Sequence, residues 1–186
     1  MARVRLLSND QASPEAKKIY EKLEQNGAKI LNLYRALAHS PSVMVDCMKL
    51  GNSLLSKTKL SSKLRELVIL RIAGLSGSKY EWTQHRPVAL EAGVTGDQIG
   101  ALDGWRQSKQ FTDELAQVVN VKEETFNALK RFLTEQEIVE LTLAIGYWGL
   151  IARVLVPLQV DLFHRDGHCS DNIEARCFFV EMMVWR

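Results

Sequence analysis

The stretch Lys63-Leu64-Arg65-Glu66-Leu67-Val68-Ile69-Leu70-Arg71-Ile72-Ala73-Gly74-Leu75 decides the fold. Its apolar residues occupy more than half the circumference of a helix, which is the pattern of a helix surrounded by others rather than lying on a surface. Gly77 breaks it, and a second helix resumes from about Ser78 to Ala92, with Gly93 at the left-handed position past its end. Working outward, Ser13-Pro14 is an N-cap followed by proline at the first helical position, and Asn26-Gly27 closes that helix. Ile30, Leu31, Tyr34, Leu37 and Ala38 form a helical stripe ending before Ser40-Pro41, and a third helix follows from Ser42 to about Leu55. Thr95-Gly96-Asp97-Gln98 is a capping box opening a short helix to Leu102. Thr112–Asn120 and Glu123–Phe132 read as two more helices. A further capping box, Thr134-Glu135-Gln136-Glu137, starts a long helix through Ile138, Leu141, Ile145, Trp148 and Ala152 to near Pro157. No segment alternates with period two. The expected class is all-α, a helical bundle built around a central antiparallel hairpin.

Composition bounds the function. The 186 residues suit one compact helical domain over 1–162, with a divergent tail over 163–186. Lysine and arginine number 24 against 22 acids, a balance that speaks against a nucleic-acid or polybasic membrane partner. No apolar stretch reaches the length of a membrane span, and the first ten residues hold too short an apolar segment for a signal peptide. Three cysteines, Cys47, Cys169 and Cys177, suit reduced thiols and a cytoplasmic location better than a disulfide framework.

The hairpin is also where chemistry is expected. Glu66 lies about 16 Å below the break and His85 about 12 Å below it on the returning helix, so antiparallel packing brings them near one level. A carboxylate beside an imidazole fixes its tautomer and makes a usable acid/base pair. Glu81 stands four positions before His85 on the same face, and Tyr80, Trp82 and Arg71 fall in the same region. The same residues admit a structural reading. Glu66 and His85 then form a structural hydrogen bond, Glu81 pairs with Lys79 or Arg86 at the surface, and Tyr80 and Trp82 are core or interface aromatics.

Three separated segments carry a resemblance. Arg65-Glu66-Leu67-Val68-Ile69-Leu70-Arg71-Ile72-Ala73 with Tyr80-Glu81-Trp82-Thr83-Gln84-His85, the upstream run Asn32 to Pro41, and the downstream run Leu133 to Thr142 together resemble the carboxymuconolactone decarboxylase / alkylhydroperoxidase D-like family. The likeness covers about residues 13 to 160. It implies an all-α bundle assembling into homotrimers or hexamers. The peroxidase branch carries a Glu, then Cys-x-x-Cys, then a His after three intervening residues. Here Glu66 and His85 hold the outer positions, while Ser78 and Glu81 stand where the cysteines would be. Neither side chain forms a sulfenic acid or a disulfide, so the resemblance points away from thiol peroxidase chemistry at this site. The decarboxylase branch implies acid/base work on a small carbonyl acid or lactone with no cofactor. In that reading His85 moves a proton, Glu66 orients it, and Tyr80 or Glu81 assists. Arg71 holds a substrate carboxylate, and Trp82 belongs to the binding region. An antioxidant protein using a cysteine elsewhere and a non-catalytic binding scaffold are the alternatives.

Other signals have plainer readings. His164 and His168 with Cys169 and Cys177 match no familiar metal spacing, and no metal is expected. His39 reads as a C-terminal cap of its helix, Gly146-Tyr147-Trp148-Gly149 as close helix packing or a pocket wall, and Lys57, Lys59 and Lys63 as a solvated face. The apolar run Cys177 to Trp185 reads as a segment that docks either on the domain itself or, as an interface arm, on a neighbouring subunit.

Overall fold

The computed structural model describes residues 2–104, 127 and 129–161. Among them seven helices and no strand occur: α1 Pro14–Gln25, α2 Asn32–Leu37, α3 Pro41–Ser56, α4 Ser62–Ser76, α5 Lys79–Glu91, α6 Gly96–Gly100 and α7 Glu135–Leu158. The protein is all-α. The helix read over Thr112–Asn120, half of that over Glu123–Phe132, and the tail with His164, His168, Cys169 and Cys177 lie outside the described residues.

The chain divides into two compact units, 1–57 with the segment from Arg153, and 58–152. In the first, the Ser13 hydroxyl accepts from the Ala16 N–H at 3.2 Å and opens α1, as its sequence predicts. Ala16, Ile19, Tyr20 and Leu23 line the buried face of α1, and they share a core with Leu7, Tyr34, Met44 and Met48. The Tyr20 hydroxyl donates to the Leu7 carbonyl at 3.1 Å, so its polar end is not orphaned there. His39 does not cap its own helix. Its Nε2 donates instead to the Arg5 carbonyl at 2.8 Å, because the N-terminal strip runs beside it.

The second unit carries the hairpin. Gly77 sits at φ +64°, and the Ser78 N–H turns back to the Ala73 carbonyl at 2.9 Å, satisfying a helix-end acceptor. Ser78 then caps α5 by accepting the Glu81 N–H. A Cβ at Gly77 would meet no atom within 4 Å, so only the backbone conformation demands glycine there. Gly77→Ala is expected to cost about 1–2 kcal/mol through that conformation alone, read as a lower midpoint in urea with an unchanged slope.

Helix α4 is buried continuously from Leu64 to Leu70, which makes it the central helix its pattern predicts. Its Leu64 and Val68 pack with Leu60, Leu129, Ile138 and Leu141, whereas its Leu67 and Leu70 pack with Ala89, Val94, Ile99 and Leu102. Both capping boxes form. Thr95 and Gln98 satisfy each other's backbone N–H, and so do Thr134 and Glu137. The Glu140 carboxylate on α7 accepts the Lys59 and Leu60 N–H groups at 2.7 and 2.8 Å, tying the approach to α4 onto α7.

One expectation needs correcting. Helix α7 is long and apolar enough to cross a membrane by length and composition, although no uninterrupted apolar run in it reaches that length. Its Glu140 breaks the run without breaking the helix. Ile138, Leu141, Ala144, Trp148 and Ile151 are buried along one side, the arrangement of a core helix, while Val139, Leu143 and Leu150 are exposed on another.

Candidate functional site

Glu66 is fully buried in the central helix, so its carboxylate depends on the groups that replace water. Two do. The His85 Nδ1 lies 2.8 Å from one carboxylate oxygen, and the Arg65 Nε donates to the other at 3.3 Å. The level-matching of the two arms of the hairpin therefore brings Glu66 and His85 together as the helical rise predicts.

The far side of the imidazole is occupied as well. The Trp148 indole N–H donates to His85 Nε2 at 3.1 Å, and the two rings meet edge to face at 5.7 Å and 85°. An indole nitrogen only donates, so Nε2 must carry a lone pair and the ring proton must lie on Nδ1. The assigned state is a neutral imidazole giving its proton toward Glu66. Trp148, His85, Glu66 and Arg65 thus form one directed chain of hydrogen bonds. His85 is 3% exposed, so the ring is closed in on both edges.

Glu81 differs from its neighbours. It is buried, and among the described residues neither carboxylate oxygen has a hydrogen-bond partner. Burial pushes its pKa up to about 7, with the Ser78 hydroxyl pulling the other way. The surface-acid reading is therefore wrong for Glu81. The result is a carboxyl near half-ionised at neutral pH, which suits proton transfer.

Tyr80 is buried beside it in sequence. Arg71 and Trp82 belong to a different grouping. The Arg71 Nη1 donates to Asp103 at 3.2 Å, and both Asp103 and the Trp82 ring approach Gly74. Arg71 thus already holds a carboxylate, that of Asp103. Trp82 packs on the Leu67–Leu70 core. Sequence reasoning gave no site role to Arg65, and placed Trp148 only in close helix packing or a pocket wall. Arg65 is marked only by adjacency to Glu66, and nothing in the periodicity of α7 connects Trp148 to a histidine 63 positions earlier. Among the described residues no three metal-ligating side chains gather.

Cys47, the one cysteine among the described residues, lies outside this site, and burial together with Asp46 pushes its thiol up. Less thiolate means slower peroxide chemistry. After a brief hydrogen peroxide challenge, mass spectrometry is expected to find Cys47 still a thiol.

A helical hairpin with a buried Glu–His pair defines a class of all-α proteins. Residues 41–124 match the model of the carboxymuconolactone decarboxylase family. A peroxidase-related protein with an alkylhydroperoxidase AhpD core from Ralstonia eutropha is similar in structure, with a TM-score of 0.71 and 12% identity over 87% of this chain and 92% of that one. A protein of unknown function from Agrobacterium tumefaciens gives 0.63 and 20% over 69% and 96%. The debrominase Bmp8, as a variant in complex with 2,3,4-tribromopyrrole, gives 0.68 and 15% over 98% and 100%. At these identities the likeness is one of fold. No curated protein matches the sequence.

Proposed function

We propose that this protein is a cofactor-independent acid/base enzyme, a decarboxylase or isomerase acting on a small carbonyl acid or lactone through Glu66 and His85. The observation that carries the reading is the buried 2.8 Å pair on the hairpin. Glu81, one helical turn away, is held near neutrality and supports it. The match of residues 41–124 to the carboxymuconolactone decarboxylase family agrees with it.

The chemistry is proton transfer. In isomerisation the Nε2 lone pair of His85 takes a proton from the carbon next to a carbonyl, and the bonding electrons move to the carbonyl oxygen as an enolate. Glu66 stabilises the imidazolium that forms. A proton returned to another carbon of the delocalised system, from His85 or protonated Glu81, completes the shift. In decarboxylation the carbon–carboxylate bond supplies those electrons, carbon dioxide leaves, and protonated Glu81 gives its proton to the enolate. Either route needs a carbonyl conjugated to the breaking bond, which defines the substrate class. A homo-oligomer belongs to the same reading, and the exposed Val139, Leu143 and Leu150 on α7 offer an apolar face for it. Light scattering at micromolar concentration is expected to give a mass above one chain.

The deciding experiment incubates β-keto acids and unsaturated lactone acids with the protein in deuterium oxide. Proton NMR follows deuterium entering carbon, and released carbon dioxide is measured alongside. Turnover is expected with at least one compound, falling by about 100-fold or more in His85→Gln. Exchange that proceeds equally well in that variant, with the fold intact by circular dichroism, ends the assignment of His85.

A further inference from the structure

Trp148, expected only as close helix packing or a pocket wall, makes the contact that decides what His85 can do. Its indole N–H occupies the Nε2 lone pair, the same electrons a base must use. Its ring stands edge to face against the imidazole, and both side chains are buried. The opposite nitrogen is committed to Glu66. His85 as folded is therefore correctly oriented and chemically closed.

We propose that Trp148 is a positioning residue that acts through His85, holding it as the neutral Nδ1-protonated imidazole and latching its basic nitrogen until an incoming molecule takes the place of the indole. This rests on His85 being the proton-transfer group, as proposed above. The latch has a physical rationale in both directions. A buried lone pair without a donor is costly, so the indole keeps the resting site satisfied. A single hydrogen bond of ordinary net strength is also weak enough to be exchanged for a substrate contact. Removing it should open the nitrogen by about five-fold, the ratio corresponding to a typical neutral hydrogen bond.

Diethyl pyrocarbonate reads that nitrogen without any knowledge of the substrate. The Nε2 lone pair attacks a carbonyl carbon of the reagent and forms an N–C bond as the anhydride C–O bond breaks. The departing ethyl carbonate takes the ring's Nδ1 proton and falls to ethanol and carbon dioxide. Peptide mass spectrometry then gives the rate at His85, with the exposed His39 as an internal reference. In Trp148→Phe, which keeps an aromatic ring but loses the N–H, His85 is expected to react about five-fold faster than in the parent while His39 is unchanged. Equal rates at His85 in the two proteins, no reaction in either, or a parent rate matching that of His39 would each overturn the latch.

A second measurement needs no variant. In the parent protein labelled with nitrogen-15, a coupling across the hydrogen bond is expected between the Trp148 indole nitrogen and the non-protonated Nε2 of His85. Its absence, with Nε2 found protonated, also overturns the proposal. Because neither readout involves turnover, failure of the latch is separable from failure of the proposed enzymatic role, which the deuterium-exchange assay tests.

Discussion

Replacing Glu81 by glutamine is expected to stabilise the protein by about 3 kcal/mol at pH 8 and by almost nothing at pH 4, an unusual gain for removal of a charged residue. The sign follows from proton binding. Burial raises the folded-state pKa from 4.5 to about 7, so the native protein holds this proton more tightly than the unfolded chain does. Below pH 4.5 both states are protonated and the group is neutral toward stability. Between pH 4.5 and 7 the unfolded chain ionises first, and stability falls as pH rises. Above about 7 both states are ionised and the deficit is constant, because a carboxylate without a hydrogen-bond partner is then buried. Glutamine has nearly the shape of the protonated acid and never ionises. Urea denaturation of parent and variant at pH 4, 6 and 8 gives the difference directly, and subtracting one from the other removes every other titrating group. A difference that stays flat across that range would show Glu81 to be hydrated or paired in solution. The functional corollary is a trade: a protein carrying this cost at neutral pH keeps a carboxyl that can give and take a proton there.

Local features of this protein were legible before any coordinates. Ser13-Pro14, the two capping boxes and the glycines at 77 and 93 each act within four residues of themselves, and each behaves as its chemistry dictates. The Glu66–His85 pairing was legible for a related reason: with a single short break between two helices, the rise per residue fixes which levels meet. Direction and distance defeated the rest. The i, i+4 spacing of Glu81 and His85 places both on one face, but the ring's two nitrogens are taken by Glu66 and Trp148. Arg71 looked like an anion holder for substrate because Asp103, its actual partner, lies 32 positions on in a segment with no pattern of its own. Trp148 is the extreme case, brought to His85 by the packing of α7 in a core that no periodicity specifies. A sequence can show that a histidine has a carboxylate companion. It cannot show that the histidine's other nitrogen is spoken for.

Glu66→Ala is expected to be among the most damaging single changes in the second unit, lowering stability by about 3–5 kcal/mol at pH 7. The carboxylate is fully buried and accepts from two donors, His85 Nδ1–H and Arg65 Nε–H. Alanine leaves the imidazole N–H unsatisfied in the core and the guanidinium without its anion, and it opens a cavity beside Leu67 and Ile69. Glu66→Gln separates these effects. The amide retains the volume and one acceptor oxygen for His85, but it turns an NH2 group toward Arg65, so a loss of about 1–2 kcal/mol is expected. A double-mutant cycle with His85→Ala isolates the pair, and a coupling of about 1.5–3 kcal/mol is expected for a hydrogen bond to a charged group. Urea midpoints for the four proteins supply the cycle. A coupling near zero would mean that the carboxylate and the imidazole are neighbours without being partners, and the orientation of His85 would then have to come from Trp148 alone. The prediction extends to chemistry, because a ring released from Glu66 is free to place its proton on either nitrogen. Deuterium exchange should then fall in Glu66→Ala even in the fraction of molecules that remains folded, while Glu66→Gln, which still accepts from Nδ1–H, should retain more of it.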